Sequence, residues 1–227
     1  MHGESHRISV ASLTTAALLV ALLLLLSYTP LGFIPVGTIS VTIVHLPVLI
    51  GLMTCGLPTG LLLGALFGCV SLFRAVTSPS GIFDPFFWNP LVSVFPRVII
   101  PLAAWGVYRG ALRLLGARKG AAHAAVAAGA LCGSLVNTVG VLGMIYVSCL
   151  LGWAGDHGMD PTVAGPLLCT VALTNGTAEA IASTLLTPPV VLAVRSVIKD
   201  KKKGGCSGCS GGCSCSGGHS HGGGCCH

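Results

Sequence analysis

Apolar residues along this chain fall in long runs, and polar residues collect in the gaps between them. The runs are Ile8–Tyr28, Ile39–Cys55, Pro58–Val76, Leu91–Leu115, Ala121–Leu151 and Gly176–Ile198. A helix of about 20 apolar residues crosses a bilayer core. Ile39–Cys55 is short for that purpose, and Ala121–Leu151 is long enough to tilt or protrude. The pattern predicts an all-α polytopic membrane protein, a six-helix transmembrane bundle. The gaps Thr29–Thr38, Gly56-Leu57, Thr77–Pro90, Gly116–Gly120 and Gly152–Asn175 carry the Gly, Pro, Asn and Asp of turns. Thr162–Thr174 is apolar but only about 13 residues long, and it contains Pro166. It predicts an interfacial or re-entrant piece, with a seventh, broken span as the alternative.

The first run follows His6 and Arg7 and extends over about 21 residues. A signal-peptide core has roughly 7–15, and no A-x-A-like cleavage site follows here. The run is expected to be a retained span.

Composition agrees with the pattern. Apolar residues make up 53% of the chain, charged residues 8%, and the mean hydropathy is +0.88. A soluble domain carries roughly 25% charged residues, enough to coat itself with water-facing groups. This chain cannot do so, but lipid does not require it. The 32 Gly and 13 Pro are tolerable in membrane helices, where small residues permit close packing and neighbours re-satisfy broken backbone bonds.

The net charge of +6 does not point to nucleic acid, because the basic residues sit at the ends of apolar runs. With the N-terminus inside, the inner segments hold Arg7, Arg109, Arg113, Arg118, Lys119, Arg195, Lys199, Lys201, Lys202 and Lys203. The outer loops hold Asp84, Asp156 and Asp160, and no Lys or Arg except Arg74 at the end of the third span. This positive-inside pattern places both termini in the cytoplasm of a multi-pass protein of the cell membrane. The expected organisation is a cytoplasmic N-terminus (1–7), a membrane domain (8–198), a basic juxtamembrane segment (199–203) and a disordered Gly/Cys/His-rich tail (204–227).

Small residues recur every four positions at Gly60, Gly64 and Gly68, at Ala121, Ala125, Gly129 and Gly133, and at Ala17 and Ala21. Each set shares a helix face and allows another backbone close approach. Such a face serves either packing within the chain or docking of a second membrane protein.

Ionisable groups at membrane depth cost several kcal/mol unless paired or wetted, so each is a functional candidate. Arg97 lies roughly 10 Å below the outer end of its span, from a rise of 1.5 Å per residue. Glu179 falls in the first turn of the last run, His45 in the outer half of the second, and Asn137 and Thr138 near the middle of the fifth. Together they are candidates to line a pocket that opens outward. Each has a plainer reading. Arg97 and Glu179 would lock two helices as a pair. Glu179 would complement a helix N-terminus after Asn175 and Gly176. His45 would be a satisfied core histidine, and Asn137 would join helices. An Arg beneath a loop rich in Phe83, Phe86, Phe87 and Trp88 suits an anion arriving from outside.

Several phrases carry a family likeness: Thr29-Pro-Leu-Gly-Phe-Ile-Pro, Val44-His-Leu-Pro-Val-Leu-Ile-Gly, Gly64-Ala-Leu-Phe-Gly, Val94-Phe-Pro-Arg97, Gly133-Ser-Leu-Val-Asn-Thr138 and Asn175-Gly-Thr-Ala-Glu179. In order and spacing they resemble the substrate-binding S components of energy-coupling factor (ECF) vitamin transporters, over about residues 10–198. The resemblance implies a six-helix protein that captures one vitamin from outside. It also implies a transmembrane coupling subunit and two cytoplasmic ATPases as partners. Ala17 and Ala21 match the family's docking motif for the coupling subunit, and Thr29–Thr38 would gate the ligand. The Thr-Pro-Leu-Gly-Phe-Ile-Pro and His-x-Pro phrases resemble pantothenate carriers most. Arg97 would then take the vitamin carboxylate, and Asn137, Asn175 or Glu179 the remaining groups. Riboflavin and folate carriers share the broader pattern.

The tail departs from that family. Cys206, Cys209, Cys213, Cys215, His219, His221, Cys225, Cys226 and His227 lie within the last 24 residues, among ten Gly. Thiolate and imidazole suit Zn, Cu or Ni, and a reducing cytoplasm disfavours disulfides. No cofactor is expected to be required, but metal on the tail keeps open a second reading, a membrane protein that handles transition metals. An enzyme is not expected. The chain has no G-x-S-x-G, no H-E-x-x-H and no phosphate-binding loop, so any ATP is hydrolysed by partners.

Overall fold

A computed structural model of the chain describes residues 10–29, 32–36, 39–78, 83–116, 118, 120–153 and 160–204. These residues form six α-helices and one short hairpin: α1 (Val10–Tyr28), β1 (Phe33–Val36), β2 (Ile39–Thr42), α2 (Leu46–Cys55), α3 (Leu57–Thr77), α4 (Pro90–Leu115), α5 (Ala121–Leu150) and α6 (Pro161–Gly204). A 3₁₀ turn, Asp84–Trp88, precedes α4.

Helix boundaries follow local chemistry. Gly56 separates α2 from α3 with φ of 96°, a conformation that costs glycine little, and its N–H still bonds Leu52 O. Asn89 caps α4 by accepting from Leu91 N at 2.9 Å, with Pro90 in the first helical position. Asp160 does the same for α6, where Oδ1 accepts from Thr162 N at 3.0 Å and from Thr162 Oγ1 at 2.7 Å. Those bonds hold the Asp160 carboxyl below its ordinary pKa.

Three expectations need correction. The second run does not form one helix. Ile39–Thr42 is a strand, paired antiparallel with β1 so that Phe33 faces Thr42 and Val36 faces Ile39. Only Leu46–Cys55 is helical, and ten residues rise about 15 Å, half a bilayer core. The β-branched run Ile39, Val41, Thr42 favours the pleated conformation. Thr162–Thr174 is neither re-entrant nor a separate span but the first part of α6, which is continuous over 44 residues. Consequently Glu179 lies in mid-helix, where a dipole or capping role is unavailable.

Among the described residues, four helices are long and apolar enough to cross a membrane: α3, α4, α5 and Thr162–Ile198 of α6. Large apolar side chains also face outward, among them Leu13 and Leu18 on α1, Val139 on α5 and Leu173 and Leu185 on α6. Water would not tolerate so much outward apolar surface, and lipid does. The protein is therefore a helical membrane bundle.

Most of the glycine ridges serve packing within the chain. A Cβ on Gly60 would lie 2.7 Å from Leu52, one on Gly68 2.7 Å from Val94, and one on Gly133 2.5 Å from Leu49. Ala121 and Ala125 are buried as well. Ala17 and Ala21 differ, being exposed on α1. Near one end of the bundle Arg195 on α6 ties three helices together. Its Nε and Nη2 donate to Met53 O at the end of α2, and Nη2 donates to the Tyr108 hydroxyl of α4 at 2.6 Å.

Candidate functional site

Two prolines prepare the place of Arg97. Pro96 and Pro101 have no N–H, so in α4 the carbonyls of Val92 and Arg97 lose their usual donors. Val92 O instead accepts from Arg97 Nη1 at 3.2 Å, which turns the side chain back along its own helix. The carbonyl of Arg97 faces α3 at Gly64, where a Cβ would lie 2.5 Å from the oxygen. Glycine is thus required there by close approach, and α3 and α4 seat Arg97 together.

The guanidinium lies between two aromatic rings. Its Cζ is 5.3 Å from the centroid of Phe67 on α3 and 5.0 Å from that of Phe87 on the 3₁₀ turn. Aromatic faces stabilise a desolvated cation without neutralising it. Arg97 is only 6% exposed, and its Nε has no partner among the described residues. A buried guanidinium with an unused donor is costly in an apolar bundle unless something else completes it.

Glu179 does not complete it. The two side chains feel each other's charge, but among the described residues no direct contact joins them. Glu179 instead accepts from Thr42 N at 3.1 Å through Oε1, while Thr138 Oγ1 lies 3.5 Å from Oε2 and Asn137 is beside it. The helix-locking ion pair considered from the sequence is therefore absent. A cation and an anion are held apart by separate partners in one buried region.

The remaining candidates join them. His45, fully buried at the start of α2, holds Ser183 Oγ at 2.7 Å through Nε2, and its Nδ1 is without a partner among the described residues. Asn137 Oδ1 and Asn175 Oδ1 are likewise buried and unpartnered there. Asn175 is one turn before Glu179 within α6 rather than in a connecting loop. Ser134, Ser183 and Thr187 line the same interior and were not expected from the sequence. The signal for two of them was present, since Glu179, Ser183 and Thr187 recur every four residues.

Two open cavities flank this region without containing Arg97 or Glu179. One, of about 410 Å³, lies outside the 3₁₀ turn against Phe86, Trp88, Asn89, Ser148 and Trp153. The other, of about 300 Å³, is an apolar groove between α4 and α5 at Phe95, Val136 and Gly140. The candidate site is the buried polar cluster, where Arg97, Glu179 and the unused hydrogen-bonding atoms are. No group of three His, Cys, Asp or Glu converges on a metal position among the described residues. The tail, from Cys206 to His227, lies outside them.

Fold and interior together define a helical membrane protein with a buried polar cluster among its helices. The model of the family described as the substrate-specific component of ECF transporters matches residues 11–191, and the chain belongs to that family. Its members bind a small-molecule vitamin and work with an ECF module. The chain is also similar to the pantothenic acid transporter PanT of Lactococcus lactis subsp. cremoris (strain MG1363). The two are 30% identical over 168 residues, covering 67% of this chain and 76% of that protein.

Proposed function

We propose that this protein captures an anionic vitamin, pantothenate by first preference, from outside the cell and delivers it through an ATP-driven ECF module. The observation that carries the reading is Arg97: buried, aromatic-flanked, unpaired with Glu179 and left with an unused donor. A carboxylate suits that position, because a desolvated guanidinium binds it strongly and with defined geometry. Asn137, Asn175, Thr138 and Glu179 offer acceptors and donors for the amide and hydroxyls of pantothenate. The similarity to a pantothenic acid transporter supports this choice.

The cytoplasmic side is taken as the one where α4 and α6 end, with Arg109 and Arg113 in the C-terminal part of α4 and Arg195 in that of α6. All six helices then form the membrane domain, and both termini lie inside. The chain itself performs no chemistry; two ATPase subunits supply the energy through a transmembrane coupling subunit that docks on α1 at Ala17 and Ala21.

Mass spectrometry of small molecules released from the protein purified in detergent, followed by titration with pantothenate, tests the reading. Stoichiometric pantothenate, or a submicromolar titration, is expected. A different vitamin would keep the class and correct the substrate. Metal alone, with no organic ligand, would favour a metal carrier.

A further inference from the structure

Asn175, Glu179, Ser183 and Thr187 follow one another at a spacing of four on α6, so they share a face. Ser183 and Thr187 are fully buried, on a face that packing alone would make apolar. The plain explanation for a hydroxyl in a membrane helix is that it bonds the carbonyl four residues back. Ser27, Thr54, Ser148 and Thr184 do so, at 2.7–2.8 Å.

Thr138, beside Glu179, does so as well, at 3.2 Å, but three fully buried hydroxyls, those of Ser134, Ser183 and Thr187, behave differently. Ser183 Oγ bonds His45 Nε2 across helices. Ser134 Oγ and Thr187 Oγ1 are buried with no partner among the described residues, as is the other nitrogen of His45. Ser134 stands one turn inward of Thr138 on α5, and its neighbour Gly133 touches Leu49, one turn inward of His45. Unused polar atoms from α2, α5 and α6 thus occupy the inner side of the region that holds Glu179, and none of them is charged by nature as Arg97 is.

We infer that His45, Ser134, Ser183 and Thr187 form an uncharged hydrogen-bonding subsite for the hydroxyl-bearing end of the substrate, inward of the end held by Arg97. The inference rests on the reading that Arg97 takes the anionic end. It narrows the substrate class to molecules with a carboxylate at one end and hydroxyls at the other. It also assigns discrimination among such molecules to these uncharged groups of α2, α5 and α6 rather than to Arg97. Buried hydroxyls left unpaired by a deoxy ligand would penalise its binding, whereas a methyl-lined pocket would not.

The test uses the full chain in detergent and calorimetric titration with two probes, pantothenate and its analogue lacking both hydroxyls. The wild type is expected to prefer pantothenate by at least about tenfold. The combined variant Ser134→Ala, Ser183→Ala, Thr187→Val should reduce that preference below about threefold while binding the analogue as the wild type does. Should the combined variant not fold, Ser183→Ala and Thr187→Val alone should each lower the preference about threefold. Ser148→Ala, which removes an equally buried but back-bonded hydroxyl, should leave it unchanged. A preference that survives in the combined variant, or in both single variants, overturns the subsite and leaves the Arg97 reading intact. Failure of the wild type to bind either probe overturns the pantothenate reading and the subsite with it.

Discussion

Glu179 in the middle of α6 accepts a hydrogen bond at 3.1 Å from the backbone N–H of Thr42, the last residue of the β1–β2 hairpin. The two residues are 137 positions apart. The bond joins the polar interior of the bundle to the hairpin. A carboxylate accepting from a backbone amide is worth about 1.5–3 kcal/mol when buried. Glu179→Ala should therefore loosen the hairpin, raising amide exchange at Thr42 and Ile43 at least about tenfold in hydrogen-exchange mass spectrometry. Glu179→Gln keeps an acceptor oxygen and should raise it less. Equal exchange in wild type and Glu179→Ala would mean that the hairpin is held elsewhere.

Arg97 makes a separable prediction. Arg97→Ala should weaken binding of an anionic vitamin by about 2–4 kcal/mol, because the ligand carboxylate would be buried without its counter-charge. Arg97→Lys should recover little, since an ammonium has neither the planar face for Phe67 and Phe87 nor the fork that reaches Val92 O. Calorimetric titration distinguishes the outcomes. Wild-type affinity in Arg97→Ala would leave Arg97 a structural role only.

The seat of Arg97 can be disturbed without touching its side chain. Gly64→Ala places a Cβ 2.5 Å from Arg97 O, and backbone offers no easy retreat. The change should cost about 1–3 kcal/mol of stability and weaken ligand binding as α4 is pushed away. Gly106→Ala, on the same helix as Arg97 but facing open space, should leave stability unchanged or raise it by about 0.5–1 kcal/mol. Thermal unfolding of both variants in detergent provides the comparison.

The helical architecture and the polar candidates were legible because hydropathy and isolated polar residues in apolar runs are strong signals. Arg97, Glu179, His45 and Asn137 are buried, and Thr138 is half-buried beside Glu179. What was hidden depended on context. Pro166 and Asn175-Gly176 read as helix breakers, yet α6 runs through them, as membrane helices do where neighbours satisfy the backbone. The strand at Ile39–Thr42 was masked by its own hydrophobicity, which a window of residues does not distinguish from a helix. Ser183 and Thr187 passed unnoticed because hydroxyls in membrane helices usually satisfy themselves. Only their lack of back-bonding in three dimensions sets them apart.

The small-residue ridges could not be sorted from sequence, since one spacing serves internal packing and external docking alike. The structure separates them. Gly60, Gly64, Gly68, Gly129 and Gly133 are pressed against other helices of the chain, whereas Ala17 and Ala21 are exposed on α1. Lipid is indifferent to the size of an exposed residue, so bulk added at Ala17 or Ala21 should not disturb the isolated bundle. A partner helix at the same face would be held off by it. Ala17→Trp combined with Ala21→Trp should therefore leave vitamin affinity within about threefold while lowering uptake by cells at least about tenfold, roughly 1.4 kcal/mol or more in coupling. Calorimetry on the purified chain and radiolabelled uptake in cells carrying a complete ECF module measure the two effects independently. Loss of affinity and uptake together would place the alanines in the fold, and preserved uptake would move the docking face off α1.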